Sequence, residues 1–231
     1  MWSKLFYKII PIVVLFSLSS IVFSQQKTSS LTVNDVSVNE GNSGTVYATF
    51  TVKLLPSSAQ TVTVSYATAN GTATSSDDYI GVSNFLSFAP GDTQKTVSVN
   101  IITETLNEND ETFTFNISNA VNATITDNQG VGTILNDDPV PTLSINDVTV
   151  TETDTGSFLA AFTVTLSAAS GKTVTADYST ADGSASLGVD YIANPSTLSF
   201  SPGIVTKSIN VFIYGDYLDE PNETFFINLT N

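Results

Sequence analysis

Residues 31–119 of this chain are written a second time at 143–231. Placing Leu31 on Leu143, an offset of 112, holds an ungapped register as far as Asn119 on Asn231. Roughly 40% of the aligned positions are identical, far above chance for so long a register. Asn34-Asp35 falls on Asn146-Asp147, Glu40 on Glu152, and Ala48-Thr49-Phe50-Thr51-Val52 on Ala160-Ala161-Phe162-Thr163-Val164. Further along, Asp78-Tyr79-Ile80 falls on Asp190-Tyr191-Ile192, Pro90-Gly91 on Pro202-Gly203, and Glu111-Thr112-Phe113 on Glu223-Thr224-Phe225. The unit is about 110 residues long, too long for a solenoid repeat and the size of a sandwich module.

Within each copy the apolar residues recur with period two, the signature of a strand with one face in a core. Val46, Ala48, Phe50, Val52 and Leu54 make one strand, and Val62, Val64 and Tyr66 the next. Leu86 and Phe88, then Val97, Val99 and Ile101, then Phe113, Phe115 and Ile117 make three more. Leu31, Val33, Val36 and Val38 open the unit, and Val131 and Ile134 close it. The alternation breaks at Asn34-Asp35, which predicts a bulge or a change of sheet. Turn residues separate the runs at Glu40-Gly41-Asn42, Asn70-Gly71, Ala89-Pro90-Gly91-Asp92 and Asp127-Asn128-Gln129-Gly130. The expected fold class is all-β: two tandem immunoglobulin-like antiparallel β-sandwiches, with no segment longer than a turn showing helical periodicity.

The expected boundaries are a signal peptide over 1–24, a first domain over 25–138, a linker over 139–142 and a second domain over 143–231. Lys4 and Lys8 precede an apolar stretch from Ile9 to Phe23, and Val22-Phe23-Ser24 offers a cleavage site before Gln25. A membrane anchor is the alternative, but the run is short of the roughly 20 residues a spanning helix needs. The mature chain is therefore expected to be exported, secreted or at the cell surface, without a transmembrane span. Asn231 corresponds to Asn119, so the second copy has no counterpart of the last strand. An unpaired sheet edge is aggregation-prone. The expectation is a fragment of a longer repeat protein, with donation of the strand by another chain as the alternative.

Composition narrows function. The chain has no Cys and no His, which excludes Ser-His-Asp and Cys-His catalysis, zinc sites of the usual kind and disulfides. All seven basic residues are Lys, against 22 acids, for a net charge of −15. Such a surface repels nucleic acid and lacks the bidentate phosphate clamp that Arg provides. A glycoside hydrolase with two carboxylates needs them flanking a sugar-stacking cleft. The one Trp, Trp2, lies in the leader, and the acids group at one loop end. The chain is not expected to be an enzyme.

That grouping carries the chemistry. Glu104, Glu108, Asp110 and Glu111 fall between the Val97–Ile101 and Phe113–Ile117 strands, Glu40 follows the first strand and Asp137-Asp138 the last. Alternate loops of a sandwich emerge at the same end, so these acids converge, with only Lys53 and Lys95 in that copy to neutralise them. A hard cation relieves the repulsion. Ca²⁺ accepts about six to eight oxygens in tolerant geometry, whereas Mg²⁺ demands a tight octahedron and keeps its waters. The plain alternative is a solvated acidic loop end that binds nothing. Asp78-Tyr79 and Asp190-Tyr191 read as corner-closing residues, and the Phe113/Phe115 and Phe225/Phe226 aromatics as core. Asn116, Asn122, Asn222 and Asn228 begin glycosylation sequons, which matter only in a glycosylating host.

Asp78-Tyr79-Ile80, Leu86-Ser87-Phe88-Ala89-Pro90-Gly91 with Lys95, Asn107-Glu108-Asn109-Asp110-Glu111-Thr112-Phe113 and Gly132-Thr133-Ile134-Leu135-Asn136-Asp137-Asp138 together resemble a Calx-beta domain. This is the calcium-binding module of sodium–calcium exchangers, found also in matrix proteins, adhesion receptors and large bacterial surface proteins. The resemblance implies calcium ligands at Glu40, Glu104, Glu108, Glu111, Asp137 and Asp138. In the second copy it implies Glu152, Asp182, Asp216, Glu220 and Glu223, with the terminal aspartates absent. The aspartate of the family's Asp-Gly turn is Asn70 in the first copy, and one acid survives of each aspartate run after the fifth strand. Fewer charges imply fewer or weaker ions, at about 10⁻⁵ to 10⁻³ M. The partners so implied are calcium ions, neighbouring repeats, and a cell-surface or matrix partner. The expected function is calcium-dependent rigidity in an adhesin or matrix-like surface protein; the alternative is a passive spacer or accessory module of a larger secreted enzyme or carbohydrate-binding protein.

Overall fold

The structure, a computed structural model, describes residues 28–193 and 195–230. The leader expected over 1–24 lies outside them. Among the described residues there is no helix, and so none long and apolar enough to cross a membrane.

Among the described residues the first unit holds nine strands: β1 (Ser30–Val33), β2 (Val36–Asn39), β3 (Val46–Leu55), β4 (Val62–Asn70), β5 (Ser83–Phe88), β6 (Gln94–Ile101), β7 (Glu111–Val121), β8 (Thr124–Ile125) and β9 (Gln129–Leu135). They form two sheets, β6-β3-β1-β8 and β2-β9-β7-β4-β5. The break at Asn34-Asp35 is a change of sheet. β1 pairs antiparallel with β3, while β2, two residues on, pairs parallel with β9 in the opposite sheet. The Asn34 side chain fixes the crossover by accepting the Thr51 amide at 2.6 Å, and Asp35 accepts the Val131 amide at 2.7 Å. The period-two reading does not find β8, a two-residue strand parallel to β1 that is too short to show alternation.

The predicted inward residues form the core. Phe50, Phe88, Phe113 and Phe115 are wholly buried, as are Leu31, Leu54, Val62 and Val64. The aromatics stack across the two sheets, with ring centroids 4.8 Å apart for Phe50–Phe115 and 4.4 Å for Tyr79–Phe113. Offset stacking of this kind adds about 0.5–1.5 kcal/mol per pair beyond the area buried.

The second unit repeats the plan with β10 (Leu143–Ile145), β11 (Gly156–Leu166), β12 (Val174–Asp182), β13 (Ser196–Phe200), β14 (Thr206–Gly215) and β15 (Phe225–Thr230). Its sheets are β10-β11-β14 and β13-β12-β15. Tyr191 stacks on Phe225 at 4.6 Å, as Tyr79 does on Phe113. The counterpart of β2, around Val148–Val150, forms no strand among the described residues. Phe225, Ile227 and Leu229 are half-buried where Phe113, Phe115 and Ile117 are closed off.

This difference sets an expectation for stability. Phe113→Ala should cost about 3–5 kcal/mol, as expected for an aromatic removed from a closed core. Phe225→Ala should cost less, in proportion to the area it already leaves in water. Calorimetry resolving the two unfolding transitions would measure both.

Candidate metal centre

Three segments of the first unit meet at one end of its sandwich: the turn after β2, the 102–110 connection and the 136–138 exit from β9. Backbone and amide hydrogen bonds lock them together. The Gly41 amide donates to Asp137 Oδ1 at 3.2 Å, and Asn42 Nδ2 donates to Asp138 Oδ1 at 2.9 Å. Asn107 Nδ2 donates to the Asp138 carbonyl at 2.9 Å, and the Glu108 amide to Asn136 Oδ1, also at 2.9 Å. The Asn136 amide donates to Asp110 Oδ1 at 3.1 Å. Amide side chains thus hold the loops, leaving the carboxylates to face one another.

The acids sort into two groups. Glu40, Glu104 and Asp138 each present an oxygen within 4.8 Å of the others. Glu40 is 6% exposed and Asp138 7%. Glu40 Oε1, Glu104 Oε1 and Asp138 Oδ2 are buried and accept no hydrogen bond. Burial pushes Glu40 up to about 7, and the charges of Glu104, Asp138, Glu108 and Asp137 add to the shift. Burial likewise raises Glu104, against the opposing hydrogen bond from the Leu106 amide. Orphaned buried carboxylate oxygens cost several kcal/mol unless a cation supplies the missing partner. An all-oxygen, partly backbone-braced donor set suits Ca²⁺.

The second group is Asp78, Glu108 and Glu111, again within 4.8 Å. Glu111 is pushed up to about 7, first by burial and then by the charge of Asp78 and a hydrogen bond shared with it. Asp78 was read as a corner residue, and it is one: its Oδ2 accepts the Thr74 amide at 2.6 Å. The corner also aims the carboxylate into the acid group, a second role that the Asp-Tyr spacing did not reveal. Its signal in the sequence was the recurrence of Asp190 at the same offset.

The second unit gathers Asp190, Glu220 and Glu223 in the same way. The Asp190 carboxylate accepts the Ser186 amide at 2.7 Å, and Glu152 Oε1 accepts the Asp216 amide at 3.2 Å. Glu152, Asp216, Glu220 and Glu223 are exposed, unlike their buried or half-buried counterparts in the first unit. Asp182 is outside this group. Its Oδ1 accepts the Leu187 amide at 3.0 Å and the Tyr191 hydroxyl at 2.5 Å. Asn70 makes the same pair of bonds to Ser75 and Tyr79. The position therefore braces the tyrosine corner in both copies, and Asn serves there as well as Asp.

Positive charge is scarce at the acid end. The Lys95–Asp92 ion pair, at 2.8 Å, sits at the opposite end of β6. Lys172 comes from the second unit, its Nζ 3.3 Å from the Glu108 carbonyl. Beside it the Asn107 carbonyl accepts Ser170 Oγ at 3.0 Å and the Gly171 amide at 3.2 Å. A Cβ on Gly171 would lie 2.0 Å from Glu108 Oε1, so any larger residue there must displace that side chain. The second unit thus docks, through its β11–β12 loop, on the acid end of the first.

The model of the Calx-beta domain matches the chain twice, over residues 24–139 and 135–231. The chain belongs to the Calx-beta domain family. It is 27% identical to rat sodium/calcium exchanger 1 over 189 residues, which is 73% of this chain but 19% of that protein. A 60-residue stretch is 42% identical to human sodium/calcium exchanger 3, covering 26% of this chain and 6% of the exchanger. Among solved structures, the calcium-binding domain CBD12 of CALX1.1 aligns at 23% identity over 86% of this chain and 78% of its own, with a TM-score of 0.44. CBD12 of CALX1.2 aligns at 24% over 87% and 79%, with a TM-score of 0.45.

Because Glu40 and Glu111 are raised, the cation-free protein favours their protonated forms. That stabilisation is full below the ordinary carboxylate value of 4.5 and is lost as pH rises through about 7. In chelator, the melting temperature of the first unit should fall between pH 5 and pH 8 (the range is roughly that of the two shifts). Glu40→Gln should raise the melting temperature in chelator at pH 8 and flatten that slope. A melt that rises across this window would show the carboxylates to be compensated already.

Proposed function

We propose that the chain is a non-catalytic, calcium-binding pair of β-sandwiches in which calcium at the acid end of the first unit stiffens its junction with the second. The observation that carries this reading is the set of three buried, unpartnered oxygens on Glu40, Glu104 and Asp138. Their position beside the junction supports the mechanical role. Glu108 belongs to the adjoining acid group and is also the side chain on which Gly171 rests. An ion that fixes the 102–110 and 136–138 segments would fix both the docking surface and the start of the Pro139-Val140-Pro141 linker. Two prolines so close together restrict the linker to extended conformations.

Glu40, Glu104, Asp137 and Asp138 would hold one ion, and Glu108, Glu111 and Asp78 a second. The exposed group at Glu220 and Glu223, with Glu152 and Asp216 beside it, would bind more weakly, since water competes there. The leader pattern in 1–24 supports a secreted or cell-surface setting. We place the protein there as a structural element of an adhesin or matrix-like array.

Calorimetric titration with Ca²⁺ should give binding in the range of about 10⁻⁵ to 10⁻³ M. At a hundredfold excess over Kd, calcium should stabilise the first unit by about 2.7 kcal/mol. Combined Glu40→Gln and Asp138→Asn should weaken binding at least tenfold, roughly 1.4 kcal/mol. Small-angle scattering should show a narrower distribution of interdomain distances in calcium than in chelator. Identical profiles alongside normal binding would separate a bound ion from any mechanical role.

A further inference from the structure

The linker between the units begins at Asp138–Pro139, the one Asp-Pro bond in the chain. Such a bond is chemically weaker than other peptide bonds. The proline nitrogen belongs to a tertiary amide without an N–H, and once protonated it is a good leaving group. The aspartate carboxylate can close a five-membered ring on the carbon of its own carbonyl. Attack within one residue has a large advantage over attack by external water. In a flexible chain much of that advantage is lost, because water solvates the carboxylate and nothing polarises the carbonyl.

Both conditions are reversed in this fold. The Asp138 carbonyl oxygen accepts two side-chain amides, Asn107 Nδ2 at 2.9 Å and Asn136 Nδ2 at 3.1 Å. They occupy both of its acceptor sites and converge on the atom that turns negative when the carbonyl carbon becomes tetrahedral. That is the arrangement of an oxyanion hole. Neither donor is free to drift. Asn107 is 4% exposed, and its own carbonyl is held by Ser170 Oγ and the Gly171 amide. Asn136 Oδ1 accepts the Glu108 amide at 2.9 Å. On the Asp138 carboxylate, Asn42 Nδ2 clamps Oδ1 at 2.9 Å, while Oδ2 is buried and accepts nothing. One oxygen is thus fixed and the other stripped of water. Pro139, by contrast, is exposed, so solvent can deliver a proton to its nitrogen.

We propose that the cation-free chain cuts itself between Asp138 and Pro139. Asp138 Oδ2 bonds to the Asp138 carbonyl carbon, and the amides of Asn107 and Asn136 hold the resulting oxyanion. The bond from that carbon to the Pro139 nitrogen then breaks as the nitrogen takes a proton from water. The first product is a cyclic anhydride of Asp138, which water opens. One chain now ends in Asp138 and the other begins with the free secondary amine of Pro139. One water is consumed in all, and nothing is oxidised or reduced. A cation seated on Asp138 would withhold the attacking oxygen, a protection that rests on the calcium reading. The two sandwiches are then covalently joined in calcium and separable without it.

The test is incubation of the whole chain in chelator at neutral pH, followed by intact-mass spectrometry. Fragments ending at Asp138 and beginning at Pro139 should appear with first-order kinetics, at a rate independent of protein concentration. Hydroxylamine should trap the anhydride as a hydroxamate on Asp138. Pro139→Ala, a change at an exposed linker position, should leave the chain whole over the same period, as should Asp138→Asn. Asn107→Ser should slow cleavage about a hundredfold, and unfolding the chain in guanidinium should slow it at least about tenfold. A chain that stays intact in chelator would overturn the proposal. So would cleavage as fast in guanidinium as in the folded chain, which is plain Asp-Pro lability. Millimolar Ca²⁺ should suppress the cut. Equal rates in calcium and chelator, with trapping and variants as expected, would uphold self-cleavage and overturn the seat of calcium on Asp138.

Discussion

Like charges held together at one end of a sandwich are what this structure has to sustain. Glu40, Glu104 and Asp138 approach within 4.8 Å with buried oxygens that accept nothing, and no side-chain cation of their own unit pairs with them among the described residues. Left to themselves such loops would splay into water. They are prevented from doing so by amide side chains, Asn42, Asn107 and Asn136, that tie loop to loop without neutralising charge. Behind them the aromatic stack of Phe50, Phe113, Phe115 and Tyr79 anchors the strands from which the loops depart. The core supplies the stability, and part of it is expended on a preformed site. A hard cation that takes oxygen ligands would return it.

Most of the scaffold was legible in the sequence because its determinants are local and periodic. Alternation over five to ten residues marks a strand, and a single interruption at Asn34-Asp35 marks the change of sheet. The convergence of Glu40, Glu104, Glu108, Glu111 and Asp137-Asp138 followed from loop parity. What the sequence did not disclose depends on side-chain direction. Asp78 satisfies a turn with one oxygen and still faces Glu111 and Glu108, so a structural role and a place among the acids were never alternatives. Asp182 errs in the other direction. Its acidity suggested a ligand, but the tyrosine hydroxyl it accepts is accepted equally by Asn70. An acid that its sister copy replaces with an amide is better read as a hydrogen-bond acceptor than as a charge.

The junction adds a constraint that neither unit contains alone. The Ser170-Gly171-Lys172 loop belongs to the end of the second sandwich remote from its own acids, so the units are stacked head to tail. At Gly171 the Glu108 side chain lies where a Cβ would be, so a larger residue would push it aside. Lys172 contributes a long-range favourable charge to Glu108, the one lysine brought near the first acid end from the neighbouring unit. Docking and charge balance are therefore written into the same three residues, and a change in how Glu108 is held must be felt across the junction.

The two copies set the same acids in different surroundings. Glu40 and Glu152, Glu104 and Asp216, Glu108 and Glu220, Glu111 and Glu223 share positions, yet the first set is buried or half-buried and the second exposed. The acids themselves do not account for this. In the first unit β9 and the 136–138 strap that leaves it close the sheet, cover Phe113 and Phe115, and bring Asp138 onto Glu40. Desolvation, the largest upward influence on Glu40, Glu104, Glu108 and Glu111 alike, comes with that strand. Closing the sheet and building the acid site are one event, because the residue that ends the strand's path also completes the carboxylate group. In a sandwich of this kind the last strand decides both whether the core is sealed and whether the acids at its end are solvated charges or a site.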